Sequence, residues 1–223
     1  MYKLCSAAVL TLAAVSVSRA HFPFIVPDDK GSSAKVVFSD TLDPDTNVNI
    51  EKLANTKLTL RDAAGKESAV EWKKGDGFYS LAVPGSGTRV VYGVTDYGVL
   101  QKGDTKPFKL TYYPKAVIGA ATAKEATIGK LPLEVVAVGS GSKVKFQVLA
   151  SGKPLPDSEV TVIRPDGARK SSVTNKEGFT PEYDGTGRYG LYAKQIEAKP
   201  GEHAGKKYDE ARHYATLVCD VGK

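Results

Sequence analysis

Cysteine is nearly absent. The chain has 223 residues and two cysteines, and Cys5 lies in a segment that reads as a secretion signal. Only Cys219 lies beyond it, so an intramolecular disulfide is excluded although the chain reads as exported. Near the end of an apolar strand, Cys219 reads as a small buried hydrophobe. Histidine is also scarce: the three present are His21, His203 and His213. No run of five or more like charges occurs, so a nucleic-acid footprint is not indicated. Beyond the signal, no apolar run is long enough to span a membrane as a helix. There is no Gly-x-Ser-x-Gly elbow, no HExxH and no carboxylate pair spaced for glycoside hydrolysis. The look-alike segments Gly85 to Val90 and Gly139 to Val144 lack the Gly-Lys-Ser/Thr ending of a phosphate loop and read as tight turns.

What is present begins with residues 1–20. Lys3 gives a basic start, Ala7 to Val17 is an apolar run of signal length, and Ser18-Arg19-Ala20 places small residues at −3 and −1. Cleavage after Ala20 leaves His21 first and directs the chain to the periplasm or outside. The formal charge of +6 falls to about +4, since Lys3 and Arg19 leave with the signal.

Strand signals dominate the remainder. In a first unit, residues 21–117, short runs such as Ala34 to Phe38, Phe78 to Val83 and Arg89 to Val94 are bounded by glycine-rich turns. Asn47 to Ala54 is a weak helix candidate. Ile118 to Lys130 is small and polar and reads as a linker. In a second unit, residues 131–223, Lys143 to Leu149 alternates cleanly, with Val144, Phe146 and Val148 on one side. The expected fold is all-β: two antiparallel β-sandwich domains, the second immunoglobulin-like or transthyretin-like. Tyr79, Tyr92, Tyr97, Tyr112 and Tyr113 read mostly as half-buried strand residues, with an aromatic binding face as the alternative. Asp96-Tyr97-Gly98 reads as a turn.

An amino-terminal histidine carries an α-amine and an imidazole that can chelate one metal ion. A histidine brace adds one further imidazole, and such nitrogen donors suit Cu(II), Ni(II) and Zn(II), copper most of all. Pro23 excludes the other common amino-terminal copper and nickel motif, which needs histidine third. His213 shares a strand face with Ala215, Leu217, Cys219 and Val221. It is either a core histidine bonded to backbone or a metal ligand near the domain junction. His203, in a Gly-rich loop, is a surface histidine or a third ligand. Glu197, Glu202, Asp209 and Glu210 are solvated loop charges or groups that orient these imidazoles.

Several stretches resemble a bacterial secreted domain-of-unknown-function family, labelled NikM-like and associated with the periplasmic side of cobalt and nickel uptake. They include Ala20-His21-Phe22, Asp96-Tyr97-Gly98-Val99, Tyr112-Tyr113-Pro114-Lys115, Gly187-Arg188-Tyr189-Gly190 and Tyr214-Ala215-Thr216-Leu217. The resemblance implies export, two β domains and metal handling, with Ni(II) or Co(II) added to copper as cargo. It also implies a membrane metal-uptake system or another envelope component as partner. The second unit is similar to non-catalytic carboxypeptidase-regulatory domains. Three functions follow: a non-catalytic metal-binding or delivery protein, a structural β-sandwich protein of the envelope, and a copper-dependent polysaccharide monooxygenase. The single Trp and the lack of disulfides weigh against the third.

Overall fold

A computed structural model describes residues 20–222. Cys5 and all of the signal segment except Ala20 lie outside the described residues. In chain order the first unit holds β1 (Phe22–Pro27), β2 (Ser33–Ser39), β3 (Lys57–Arg61), β4 (Glu67–Ala69), β5 (Trp72–Lys74), β6 (Phe78–Ala82), β7 (Arg89–Leu100) and β8 (Phe108–Ile118). A helix α1 (Ala123–Ala126) follows. Then come β9 (Leu133–Ser140), β10 (Lys143–Ala150), β11 (Lys153–Pro154), β12 (Glu159–Ile163), β13 (Arg169–Val173) and β14 (Tyr183–Asp184). The last are β15 (Gly187–Glu197), β16 (Gly201–His203), β17 (Lys206–Tyr208) and β18 (Glu210–Val221).

The fold is all-β and built of packed sheets. Its centre is an eight-stranded sheet in the order β13-β12-β15-β18-β8-β7-β3-β4. Half of these strands come from each unit, and β18 joins β8 in the one parallel pairing among the described strands, with Tyr214 opposite Tyr112. A sheet of β1-β2-β6-β5 covers one face, and β9, β10, β11 and β14 cover the other. Side chains of successive strand residues point to opposite faces, and the central strands divide accordingly. Leu110, Tyr112, Ala116 and Val218 enter the core under β1, whereas Tyr113, Val117, Ala215 and Leu217 enter the core under β9. The two sandwiches therefore share their middle layer.

Several local expectations change in detail. The helix candidate at 47–54 is one 3-10 turn, Ile50–Leu53, because Asn49 caps it by accepting the Glu51 amide at 2.9 Å and only Ile50 and Leu53 are buried. Asp96-Tyr97-Gly98 is not a turn but a bulge within β7, where the register with β8 shifts. The extra residue lets the chain keep its direction while re-aiming side chains. The segment read as a linker is fastened down. Thr122 and Glu125 form a capping box on α1, Ala126 is buried, and Ile128 packs against the core under β9. Arg61 donates to the Thr127 carbonyl at 2.8 Å and to that of Glu125. Small and exposed residues surround the buried Ala126, which leaves no periodic apolar face there.

Candidate functional site

His21 immediately precedes β1, and residues from both units fix its place. The buried Thr216 hydroxyl of β18 donates to the Pro23 carbonyl at 2.6 Å. Phe22 stacks on Tyr192 of β15 at 3.8 Å between ring centres and 17° between planes. It also meets Tyr214 at 5.2 Å and the edge of Tyr112 at 6.3 Å. A buried polar bond and a stacked aromatic pair together hold the start of β1 against the central sheet.

Asp45, in the loop after β2, orients the imidazole. Its Oδ2 lies 3.1 Å from His21 Nε2, and its Oδ1 accepts the Asn47 amide at 2.9 Å. The Asn47 amide first, and then His21, hold the Asp45 carboxyl below its ordinary value. A carboxylate fixed in this way binds one ring nitrogen and leaves Nδ1, the nitrogen nearer the backbone, for other partners. The ring is half-buried beside Phe38, 5.9 Å away.

His21 borders a cavity of about 540 Å³ whose walls include Phe38, Tyr97, Tyr112, Tyr214 and Arg212. Tyr97 meets Tyr112 edge-on at 5.5 Å, and Tyr112 lies 5.9 Å from Tyr214. Arg212 lies over the Phe108 ring at 3.6 Å and donates through Nε to Glu210 at 2.6 Å. Burial raises the Tyr112 phenol well above its ordinary value, with Tyr97 and Tyr214 adding to the effect. Burial likewise raises Tyr214.

The other two histidines stand elsewhere. His213 projects to the opposite face of β18 from Tyr214, beneath the β9 side, where its Nδ1 lies 2.9 Å from the Tyr113 hydroxyl. The central sheet thus stands between His213 and His21. His203, at the end of β16, has Nε2 3.5 Å from Asp96 Oδ2. The Asp96 charge also acts on Tyr113, whose hydroxyl is the partner of His213. The reading of His213 as bonded to backbone is replaced by a bond to a side chain. Cys219 is buried and its thiol is pushed up to about 12, chiefly by burial.

His213 carries a pH dependence. Burial lowers its pKa from the ordinary 6.5, and the groups around it act unequally: Glu197 raises it, while Lys109 and Lys199 lower it. Above 6.5 the ring is neutral in both folded and unfolded chains, and its contribution is intact. As pH falls below 6.5 the unfolded ring takes a proton first, and stability is lost down to the folded pKa. His213→Gln is expected to lose less of its urea midpoint than the parent between about pH 7.5 and pH 5. Equal losses in the two proteins would remove His213 as a source of the slope.

Sequence reasoning missed Asp45, Arg212 and Tyr214 as neighbours of His21. Strand parity held part of the signal, since adjacent Tyr112 and Tyr113 must face opposite ways. Among the described residues no three His, Cys, Asp or Glu side chains converge to hold a metal ion. No family model matches the chain, and no curated protein matches it closely enough to count as a relative.

Proposed function

We propose that the protein is an exported, non-catalytic transition-metal binding or delivery accessory whose metal-holding residue is His21. The observation that carries this reading is the Asp45 carboxylate on Nε2 at 3.1 Å. It leaves Nδ1 uncommitted, and Nδ1 together with the α-amine that cleavage after Ala20 would free can close one chelate ring. The donor set fits a Cu(II) or Ni(II) ion in part: the chain's own residues supply two nitrogens, and the cavity leaves the remaining positions open. Open positions suit transfer to a membrane uptake system better than permanent storage. Near neutrality the ion would displace a proton from the amine.

The test combines sequencing of the mature amino terminus with calorimetric titration of Cu(II) and Ni(II). The expected result is His21 first and a copper Kd tighter than about 1 μM, roughly −8 kcal/mol. His21→Ala should abolish that binding, and Asp45→Ala should weaken it about 10-fold, as loss of an orienting partner does. A mature protein starting elsewhere, or His21→Ala binding as tightly as the parent, would sink the reading.

The separation of the three histidines favours a second reading, a β-sandwich interaction protein of the envelope without metal. In that case His213 and His21 serve only their hydrogen bonds, and His203 only its approach to Asp96. The same separation weighs against a copper monooxygenase, because His213 cannot complete a brace with His21 across the sheet.

A further inference from the structure

We propose that the cavity beside His21 is a binding site for a small organic anion with a flat apolar body, an aromatic carboxylate in chemical class. This proposal stands apart from the metal reading and needs no ion. Three observations carry it.

The first is shape and lining. A cavity of about 540 Å³ walled by Phe38, Tyr97, Tyr112 and Tyr214 has room for a one- or two-ring ligand, and aromatic walls with a few polar groups are the usual make-up of small-molecule sites. The tyrosines already meet one another edge-on or tilted, so a flat ring entering among them finds further faces and edges to pack on.

The second is a group of hydrogen-bond donors on residues that line the cavity. Tyr112 is 5 % exposed, yet its hydroxyl makes no hydrogen bond to any described residue. The hydroxyls of Tyr97 and Tyr214 have none either. None of the three is among the described side-chain atoms sealed from solvent without a partner, and all three residues line the cavity. Three phenol hydroxyls on one cavity can donate to one bound acceptor, and a carboxylate accepts several hydrogen bonds at once.

The third is charge. Lys52, Lys102 and Arg212 border the cavity, and no Asp or Glu is among its lining residues. Glu210 pairs with Arg212, whereas neither lysine has a carboxylate partner among the described residues. Cations at the rim and neutral donors within favour an anionic head over a cationic or neutral one.

The probe is 2-naphthoate, titrated by calorimetry into the purified protein in EDTA, with 2-naphthalenemethanol as its uncharged counterpart. The expected result is saturable one-to-one binding with Kd of about 10–100 μM, and at least 10-fold weaker binding of the alcohol. Tyr112→Phe keeps the ring and its packing and should weaken naphthoate about 3- to 10-fold while leaving the alcohol unchanged. Lys52→Ala with Lys102→Ala should weaken naphthoate and flatten its salt dependence. The proposal is overturned by no saturation at about 1 mM, by equal affinity for acid and alcohol, or by Tyr112→Phe binding naphthoate like the parent. Binding that appears only when Cu(II) replaces EDTA would overturn it too, and would assign the anion to the metal. Copper affinity, measured separately, decides the metal reading whatever naphthoate does.

Discussion

Glu134→Leu is expected to lower the unfolding free energy by about 3–5 kcal/mol, or the melting temperature by about 10 °C, more than any other single change considered for this protein. Lys115 of β8 and Glu134 of β9 are 1 % and 2 % exposed, and Lys115 Nζ lies 2.6 Å from Glu134 Oε1. The ammonium also donates to the Ala126 carbonyl at 3.0 Å. Glu134 meanwhile accepts the Ile128 amide at 2.6 Å and the Gly129 amide at 2.9 Å. Burial pulls the Lys115 ammonium below its ordinary value, and Glu134 pulls it partly back. Leucine at 134 would leave a buried cation with one carbonyl and orphan two backbone amides. Lys115→Met should cost less, because the carboxylate keeps both amides. The double variant Lys115→Met with Glu134→Leu should be more stable than Glu134→Leu alone, since the uncompensated charge is gone. Urea and thermal unfolding of the three proteins give this order directly. A Glu134→Leu protein no less stable than Lys115→Met would refute the account.

This ion pair also shows where sequence reading reaches its limit. Lys115 sits in a strand ending and Glu134 in the opening of the next β unit, with small polar residues between. Nothing in the periodicity of either strand says that a charged residue points inward, because alternation marks faces and not partners. The strands themselves were legible, since Val144, Phe146 and Val148 alternate with polar residues and glycine-rich turns bound the runs. The burial of Cys219 and the inward face of His213 were legible for the same reason. The shared central sheet was not. It depends on the parallel pairing of β8 with β18, whose residues stand about a hundred positions apart, and neighbour choice over that distance leaves no local trace.

The candidate site divides in the same way. His21 is conspicuous in the sequence because of its place after Ala20. Its orienting partner Asp45 is one of several loop carboxylates until β1 and the loop after β2 are brought together. The tyrosines were visible as a group, and the fold sorts them: Tyr97 and Tyr112 border the His21 cavity, Tyr92 and Tyr113 enter the opposite core, and Tyr79 stacks on Trp72 at 4.3 Å. Tyr214 and Arg212 join the cavity only through the pairing of β18 with β8.

Arg89→Met should cost about 2–4 kcal/mol and should leave copper affinity at His21 unchanged at temperatures where the variant is folded. Arg89 opens β7 and is buried. Its guanidinium donates to the carbonyls of Gly31 at 2.9 Å, Val83 at 3.2 Å, Gly85 at 2.8 Å and Gly87 at 3.2 Å. One planar fork thus ties the β1–β2 turn and the β6–β7 turn to the edge of the central sheet. Gly31 makes room for it: φ is +66°, and a Cβ there would stand 2.7 Å from Ile118 Cγ2 and 3.2 Å from an Arg89 nitrogen. Arg89→Lys should recover little, because an ammonium on a flexible stem cannot reproduce the fork. The loss is nevertheless confined to the Pro27 end of β1, about 20 Å of strand from His21 at the rise of an extended chain. At the His21 end the Thr216 bond to Pro23 and the Phe22 stack on Tyr192 remain. Urea unfolding and copper titration on the same Arg89→Met sample separate the two effects. Lost stability with parental copper affinity shows that the tyrosine end of β1 is positioned independently of the turn end. A parallel fall in affinity at 10 °C would mean that the whole strand moves as one, and that His21 depends on Arg89 after all.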